Sequence, residues 1–241
     1  MLEIENLTVR YGGTALPALQ GLSLAVEPGE RVAIIGPSGA GKTTLFRAIG
    51  GFVPIESGRI AVAGMDVGST RGRRLRDLRR RVAMIAQRHD VVERLRVYQN
   101  VMAGALGRWS ALRAFRFLLW PLGSELDEAR AALERVGIPE KLHDRTGALS
   151  GGQQQRVAIA RALVQKPVML LADEPVASLD PALADHILSL LCGLTREAGI
   201  GLLCSLHQHD LARQHFDRVL RLERGDAAGR AAANAGLVAA S

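Results

Sequence analysis

The chain opens on an alternation in which Leu2 and Ile4, then Leu7 and Val9, are apolar between polar neighbours, the pattern of a strand that buries one face. Two more strand-like runs, in LSLAV and RVAIIG, are broken at EPGE, a turn signal. Together they predict an antiparallel entry sheet. A helix is expected from about Thr43 to Gly50, followed by strands in GRIAVAG and RVAMIAQ. Between about residues 90 and 165 the strand pattern disappears. SELDEARAALERVG has helical spacing with an acidic start and a glycine stop, and SGGQQQRVAIARALVQKP keeps the same period up to Pro167. Beyond this helical lobe the order is strand VMLLADE, helix PALADHILSLLCGLTREAG and strand IGLLCSL, then DLARQHFDRVLRL as a helix running into a last short strand. Continuous apolar strands alternating with helices imply an α/β fold whose parallel sheet is covered on both faces. The expected organisation is one domain over residues 1–225, with an antiparallel β subdomain and an inserted helical subdomain at about 90–165. A low-complexity tail, residues 226–241, is expected to fray. No internal repeat is visible.

Composition narrows the setting. At 241 residues the chain can bury a core without covalent staples, and Cys192 and Cys204 are its only cysteines, so a reducing compartment without disulfides is expected. The start MLEIENLTV has neither the basic nor the apolar region of a secretion signal. No apolar stretch approaches the roughly 18 residues needed to cross a bilayer. The greasiest window, ALRAFRFLLWPL, is interrupted by Arg113 and Arg116, so membrane association is expected to be peripheral. The net charge is +7, and lysine occurs only three times, leaving 28 arginines among 31 basic residues. Such a surface favours anions. The dense run RGRRLRDLRRR reads as a solvated helix face, because no aromatic platform or nucleic-acid reader motif accompanies it.

The chemistry concentrates in three places. GPSGAGKT at 36–43 has the spacing G-x-x-x-x-G-K-[ST], directly after an apolar strand and before a helix. Glycines there let successive backbone N–H groups turn toward phosphate oxygens at the positive end of the helix. Lys42 is expected to reach the outer phosphates and Thr43 to ligate Mg²⁺ through its hydroxyl. VMLLADE ends in Asp173 and Glu174, which alternation places on opposite sides of the strand and hence in different roles: Asp173 holding the metal's water shell, Glu174 acting as general base toward the attacking water. LSGGQQQR places Ser150 at a second helix start, either an ordinary N-cap or another phosphate site. A further pair, His207 and His209 in SLHQHDLA, is too small a set for a zinc site. Asp210 is expected to cap the helix that follows.

The ordered set resembles the ATP-binding subunits of ABC transporters over nearly the whole chain. It comprises the Walker A residues Gly36, Pro37, Ser38, Gly39, Ala40, Gly41, Lys42, Thr43 and Thr44, the Q-loop Gln87, and the signature Ser150, Gly151, Gly152 and Gln153. Walker B ends in Asp173 and Glu174, the D-loop contains Asp180, and His207 matches the switch histidine. The resemblance implies a P-loop ATPase using ATP and Mg²⁺, with Thr43, Gln87 and Asp173 around the metal and Asp173 acting through water. Glu174, His207 and Gln87 take the catalytic roles, and Tyr11 stacks on adenine. It also implies a head-to-tail homodimer, in which each signature closes over the partner's nucleotide, docked on integral membrane permease subunits at the cytoplasmic face of the cell membrane.

The flanks VVERLRVYQNVMAGALGR, DEPVASLDP and SLHQHDLAR are similar to the ATPases of phosphonate importers, which implies a solute-binding protein in the complex and no nucleic acid partner. The stretch QRHD after Gln87 departs from that pattern, and the C-terminal end lacks the expected glycine-rich strand. Of Trp109, Phe115, Phe117 and Trp120 in the lobe, a docking face or a small core are both open. The rival readings are an ABC transporter subunit for another cargo and a soluble ABC ATPase working on nucleic acid or ribosomes; proteins of the latter kind usually carry two cassettes or coiled-coil insertions, and neither is visible here.

Overall fold

The computed structural model describes residues 1–12, 16–86, 91–177 and 179–223. The alternating N-terminal segment forms β1 (Leu2–Val9), which pairs antiparallel with β2 (Leu19–Val26) and with β4 (Ser57–Val62); a two-residue strand, β5 (Met65–Asp66), completes a sheet of order β2-β1-β4-β5. The turn into β5 is made by Ala63 and Gly64, both with positive φ, the conformation that matches strand twist in tight hairpins.

The second sheet is parallel and has the order β6 (Val82–Ile85), β7 (Met169–Asp173), β8 (Gly201–Leu206), β3 (Arg31–Ile35), β9 (Arg218–Arg221). Its central strands are apolar at nearly every position because both faces are covered. Their alternation sorts side chains into two cores. Ala33 and Ile35, Leu170 and Ala172, Leu202 and Cys204 face one core, which extends into the helical lobe. Val32 and Ile34, Met169 and Leu171, and Leu203 face the other. That second core includes the antiparallel sheet and the buried face of α1 (Lys42–Ile49), Leu45, Phe46 and Ile49, so α1 lies between the two sheets. Cys192 and Cys204 are buried free thiols, and burial pushes the Cys192 thiol up to about 11.

The arginine run folds as α2 (Gly72–Arg81), with Leu78 its one buried side chain. It is a solvated helix, as its composition predicts, pinned by Arg79 over the Phe52 ring at 4.4 Å and by donation from Arg79 to the Gly51 carbonyl.

Between β6 and β7 the described residues hold only helices and turns apart from one isolated bridge, Arg96 to Arg145. The lobe packs α3 (Val97–Met102) and α5 (Gly123–Arg135) on α6 (Gly151–Val164). A further helix, α4 (Ala111–Leu119), had no distinct sequence signal. It divides the four aromatics: Trp109 and Phe117 are buried and meet edge to face at 5.1 Å, whereas Phe115 and Trp120 are 62% and 77% exposed. Beside them Glu125 is almost fully buried. Burial pushes its carboxyl up, but donation from the Leu122 N–H, Arg116 and Arg113 outweighs this and holds it below the ordinary range. The chain then returns through α7 (Pro181–Glu197) and α8 (His209–His215), which cover the sheet. Among the described residues, no helix is long and apolar enough to cross a membrane.

Candidate functional site

Strand β3 runs straight into the glycine loop, and α1 leaves it, so the loop sits at the carboxyl edge of the parallel sheet, where open α/β sheets bind ligands. Gly39 and Gly41 have φ of 79° and 100°, a region glycine enters freely. A side chain at Gly41 would also lie 2.6 Å from the Ala18 carbonyl. The cleft formed there, about 420 Å³, is lined by every residue from Pro37 to Thr44 together with Ala18, Glu174 and His207. Gly41 supplies no side-chain cap to α1, so the first-turn N–H groups of that helix are left for an external acceptor.

Lys42 is 6% exposed, and its ammonium donates to the Gly36 carbonyl at 2.7 Å, with the Pro37 carbonyl at 3.4 Å and Glu174 Oε1 at 3.8 Å. A buried cation needs such partners. Thr43 Oγ1 donates to Asp173 Oδ2 at 2.8 Å. His207 Nε2 lies 2.5 Å from Glu174 Oε1. Tyr11, at the rim, places its hydroxyl 3.3 Å from Thr44 Oγ1. Hydroxyl and carboxylate oxygens beside a buried lysine and a free helix start are the donor set that suits a magnesium-bound nucleotide.

The strict alternation expected at the end of β7 does not hold. The strand ends at Asp173, and Glu174 takes a positive φ of 51°, so both carboxylates reach the glycine loop instead of facing opposite sides. The turn is held from the neighbouring strand. Asp173 is in register with Ser205 of β8, whose hydroxyl accepts the Glu174 N–H at 2.9 Å and donates to Asp173 Oδ1 at 2.7 Å. Ser205 was missed from the sequence. The available signal was a lone hydroxyl residue in the otherwise apolar run GLLCSL, two residues before His207; the structure buries it fully.

Of the histidine pair, only His207 faces the cleft; His209 is exposed at the first turn of α8. Asp210 lies in that first turn and not at the cap position, which belongs to Gln208 and carries no side-chain cap bond, so the expected Asp210 cap is not formed. Asp180 does cap, accepting the Leu183 N–H at 3.0 Å to start α7. Ser150 caps α6 in a reciprocal box with Gln153. The two signature glycines differ: a side chain at Gly152 would meet Leu183 at 2.7 Å, whereas one at Gly151 would meet none of the described residues within 4 Å. Gly152 is thus used by the chain's own packing of α6 on α7, and Gly151 is not. Gln87 and Ser178 lie outside the described residues.

This geometry agrees with comparison to known proteins. The ABC transporter family profile matches residues 19–177, and the chain belongs to that family as an ATP-hydrolysing cassette. Its fold is similar to a bacterial ABC transporter cassette solved as a dimer, with a TM-score of 0.80 and 29% identity, covering 93% of this chain and 95% of that one. It also resembles a component of the ABC transporter complex cbiONQ from Clostridium perfringens, with a TM-score of 0.80 and 31% identity over 93% and 85% of the two chains. Curated relatives are narrower in kind. The phosphonates import ATP-binding protein PhnC of Frankia casuarinae is 46% identical over 93% of this chain and 87% of its own length. A namesake from Pseudomonas syringae pv. tomato is 45% identical over 93% and 83%.

Proposed function

We propose that this chain powers phosphonate import: two copies bind MgATP head to tail, hydrolyse it, and pass the closing and reopening to membrane permease subunits. A solute-binding protein delivers the cargo on the far side. The complex holds the chain at the cytoplasmic face of the cell membrane, without nucleic acid. The observation that carries the reading is the contrast between a cleft furnished by one chain and a signature turn whose Gly151 has open space around it. The cargo rests on the curated relatives; the docking rests on the exposed Phe115 and Trp120 of the lobe.

MgATP supplies the phosphoanhydride bond and a divalent charge when bound. Toward it, Lys42 exchanges the Gly36 and Pro37 carbonyls for phosphate oxygens, and the N–H groups from Gly39 to Thr44 cradle the remainder. Mg²⁺ would be held by the Thr43 hydroxyl, whose hydrogen bond to Asp173 orients it, with Asp173 acting on the metal side of the site, and the ion would supply positive charge beside the outer phosphates. Glu174 accepts the proton of the attacking water as that water's oxygen bonds to the outer phosphorus and the bond to the β-phosphate oxygen breaks. His207 anchors Glu174, and Gln87 carries the state of the site to the root of the lobe. Tyr11 covers the base, and Ser150, Gly151, Gly152 and Gln153 close over the partner's nucleotide, beside the D-loop of Asp180.

The test is Glu174→Gln. It is expected to cut turnover by about 10²- to 10⁴-fold while ATP stays bound, and to give a dimer by size-exclusion chromatography in MgATP. A chain that keeps full turnover, or stays monomeric in MgATP, overturns the mechanism. The cargo is tested on the purified complex: stimulation of its ATPase by a phosphonate-loaded binding protein is expected, and stimulation only by an amino acid or sugar carrier refutes it.

A further inference from the structure

Ser205 is buried completely, and its hydroxyl is engaged twice. It accepts from the Glu174 N–H at 2.9 Å, which can only donate, so its own proton is directed to Asp173 Oδ1 at 2.7 Å. Asp173 therefore accepts Ser205 through one oxygen and Thr43 through the other, at 2.8 Å. The same hydroxyl meets the backbone of Glu174 where φ is 51°, a strained value for a residue with a side chain. A single oxygen thus fixes the rotation of one carboxylate and the backbone turn that aims the other. The link is possible because the parallel register sets Asp173 directly opposite Ser205.

We infer that Ser205 is a positioning residue for the hydrolytic step, acting through Asp173 and Glu174 and holding the two carboxylates in a fixed relation. The inference rests on the proposed reading of those carboxylates as the metal-side and water-side groups. Without the hydroxyl, Asp173 keeps the Thr43 bond on one oxygen and loses the bond that fixes the other, and the strained turn at Glu174 loses its acceptor. Lys42 and the loop N–H groups have no contact with Ser205 among these bonds, so nucleotide affinity that does not depend on the metal is left as it was.

The experiment uses full-length Ser205→Ala and Ser205→Thr, with binding of a fluorescent ATP analogue measured in EDTA and in Mg²⁺, steady-state ATPase, and thermal unfolding. For Ser205→Ala the dissociation constant in EDTA is expected to stay within about two-fold of wild type. The tightening produced by Mg²⁺ should shrink, KM for MgATP should rise by a similar factor, and kcat should fall by about ten-fold or more, a loss beyond weaker binding that marks an interaction strengthened in the transition state. Ser205→Thr keeps the hydroxyl and is expected to recover most of both losses. Equal losses in EDTA and in Mg²⁺, or losses that track the unfolding midpoint alone in both variants, overturn the inference by making Ser205 a packing residue. Full turnover and normal Mg²⁺ response in Ser205→Ala also overturn it. Asp173→Asn in parallel separates the two levels: if that variant hydrolyses ATP normally, the underlying reading of the carboxylates has failed; if it is inactive while Ser205→Ala is normal, only the role of Ser205 has failed.

Discussion

The glycine-loop cleft and the signature turn are both helix starts with glycines, yet they are finished to different degrees. Around the cleft the chain has closed its own circuit: Lys42 on loop carbonyls, Thr43 on Asp173, Asp173 on Ser205, Glu174 against His207. At the signature turn Ser150 and Gln153 form a reciprocal cap and Gly152 packs against Leu183, whereas Gly151 is exposed and a side chain there would meet none of the described residues within 4 Å. A site preorganised within one chain acts on charge that develops there. On the proposed reading, the open space at Gly151 leaves room for the partner's nucleotide. The difference is what a two-fold assembly needs, because one patch on each copy must complete a different patch on the other.

The largest effect should come from separating the two regions onto different copies. Ser150→Ala is expected to lower turnover by about 10²-fold, as loss of one preorganised donor at a transition state does, while the lost cap costs only about 1 kcal/mol of stability. Glu174→Gln is expected to lose turnover for a different reason, the missing general base. A mixture of the two should regain activity, because a mixed dimer contains one site with an intact Glu174 facing an intact Ser150. ATPase assays on pooled chains check this, and a mixture no more active than its parts would break the comparison.

A matched pair of glycine substitutions sharpens it. In Gly36→Ala the new methyl would sit 2.3 Å from the Leu222 carbonyl, a backbone atom that cannot swing away. A loss of about 1–3 kcal/mol is expected, lowering the thermal midpoint by several degrees. Gly151→Ala meets no neighbour within 4 Å and replaces a poor helix former with a good one, so its midpoint should hold or rise slightly while dimer-dependent turnover falls. Differential scanning calorimetry and ATPase rates together distinguish the two. If Gly151→Ala is both stable and fully active, nothing approaches that turn.

How much of this could be read from the sequence follows the same division. The glycine loop was legible because a short contiguous string encodes its strand, turn and helix. The parallel sheet was legible because runs such as VMLLA and IGLLC leave no polar face. Ser205 was not, since its partners Asp173 and Glu174 are some thirty residues away and meet it only through strand register. The positive φ of Glu174 was hidden for a related reason, as local alternation cannot report a turn that is held from another strand. The fate of the lobe aromatics depended on the phase of α4, whose arginines and leucines obscured its period; once formed, it turns Phe117 inward beside Trp109 and leaves Phe115 outside.

That phase gives a third test. Changing Phe115 and Trp120 together to Ser should alter stability by no more than about 0.5 kcal/mol, as at ordinary surface positions, yet reduce recovery of the chain with its membrane partners in a pull-down from solubilised membranes. Phe117→Ala is the contrast, expected to cost about 3–5 kcal/mol because it empties a packed site. Undiminished recovery of the exposed pair's variant would remove this face from the docking surface.

The smallest effect belongs to the far end of β3. There Arg31 opens the strand and Asp217 accepts from its side chain and from its backbone N–H, each at 2.9 Å, with Arg196 nearby at 3.3 Å. The hydrogen bond from the Arg31 side chain, opposed by partial burial and aided by the backbone bond, holds the Asp217 carboxyl below its ordinary range. A carboxylate whose folded pKa is depressed stabilises the fold above its unfolded pKa, and that contribution disappears as pH falls through the lower folded value. Asp217 is 37% exposed, so screening leaves the pair at most about 1 kcal/mol. Asp217→Asn should therefore lower stability slightly at neutral pH, and the gap from wild type should close as the solution is acidified below the carboxylate range. Turnover should be unchanged, because the perturbation lies at the opposite end of the strand from the loop that binds phosphate. Chemical denaturation at neutral and acid pH, with ATPase rates alongside, reads both quantities; a fall in turnover comparable to that of Ser150→Ala would mean that the cleft is sensitive to any strain in β3, and its losses could no longer be credited to the local circuit of Thr43, Asp173 and Ser205.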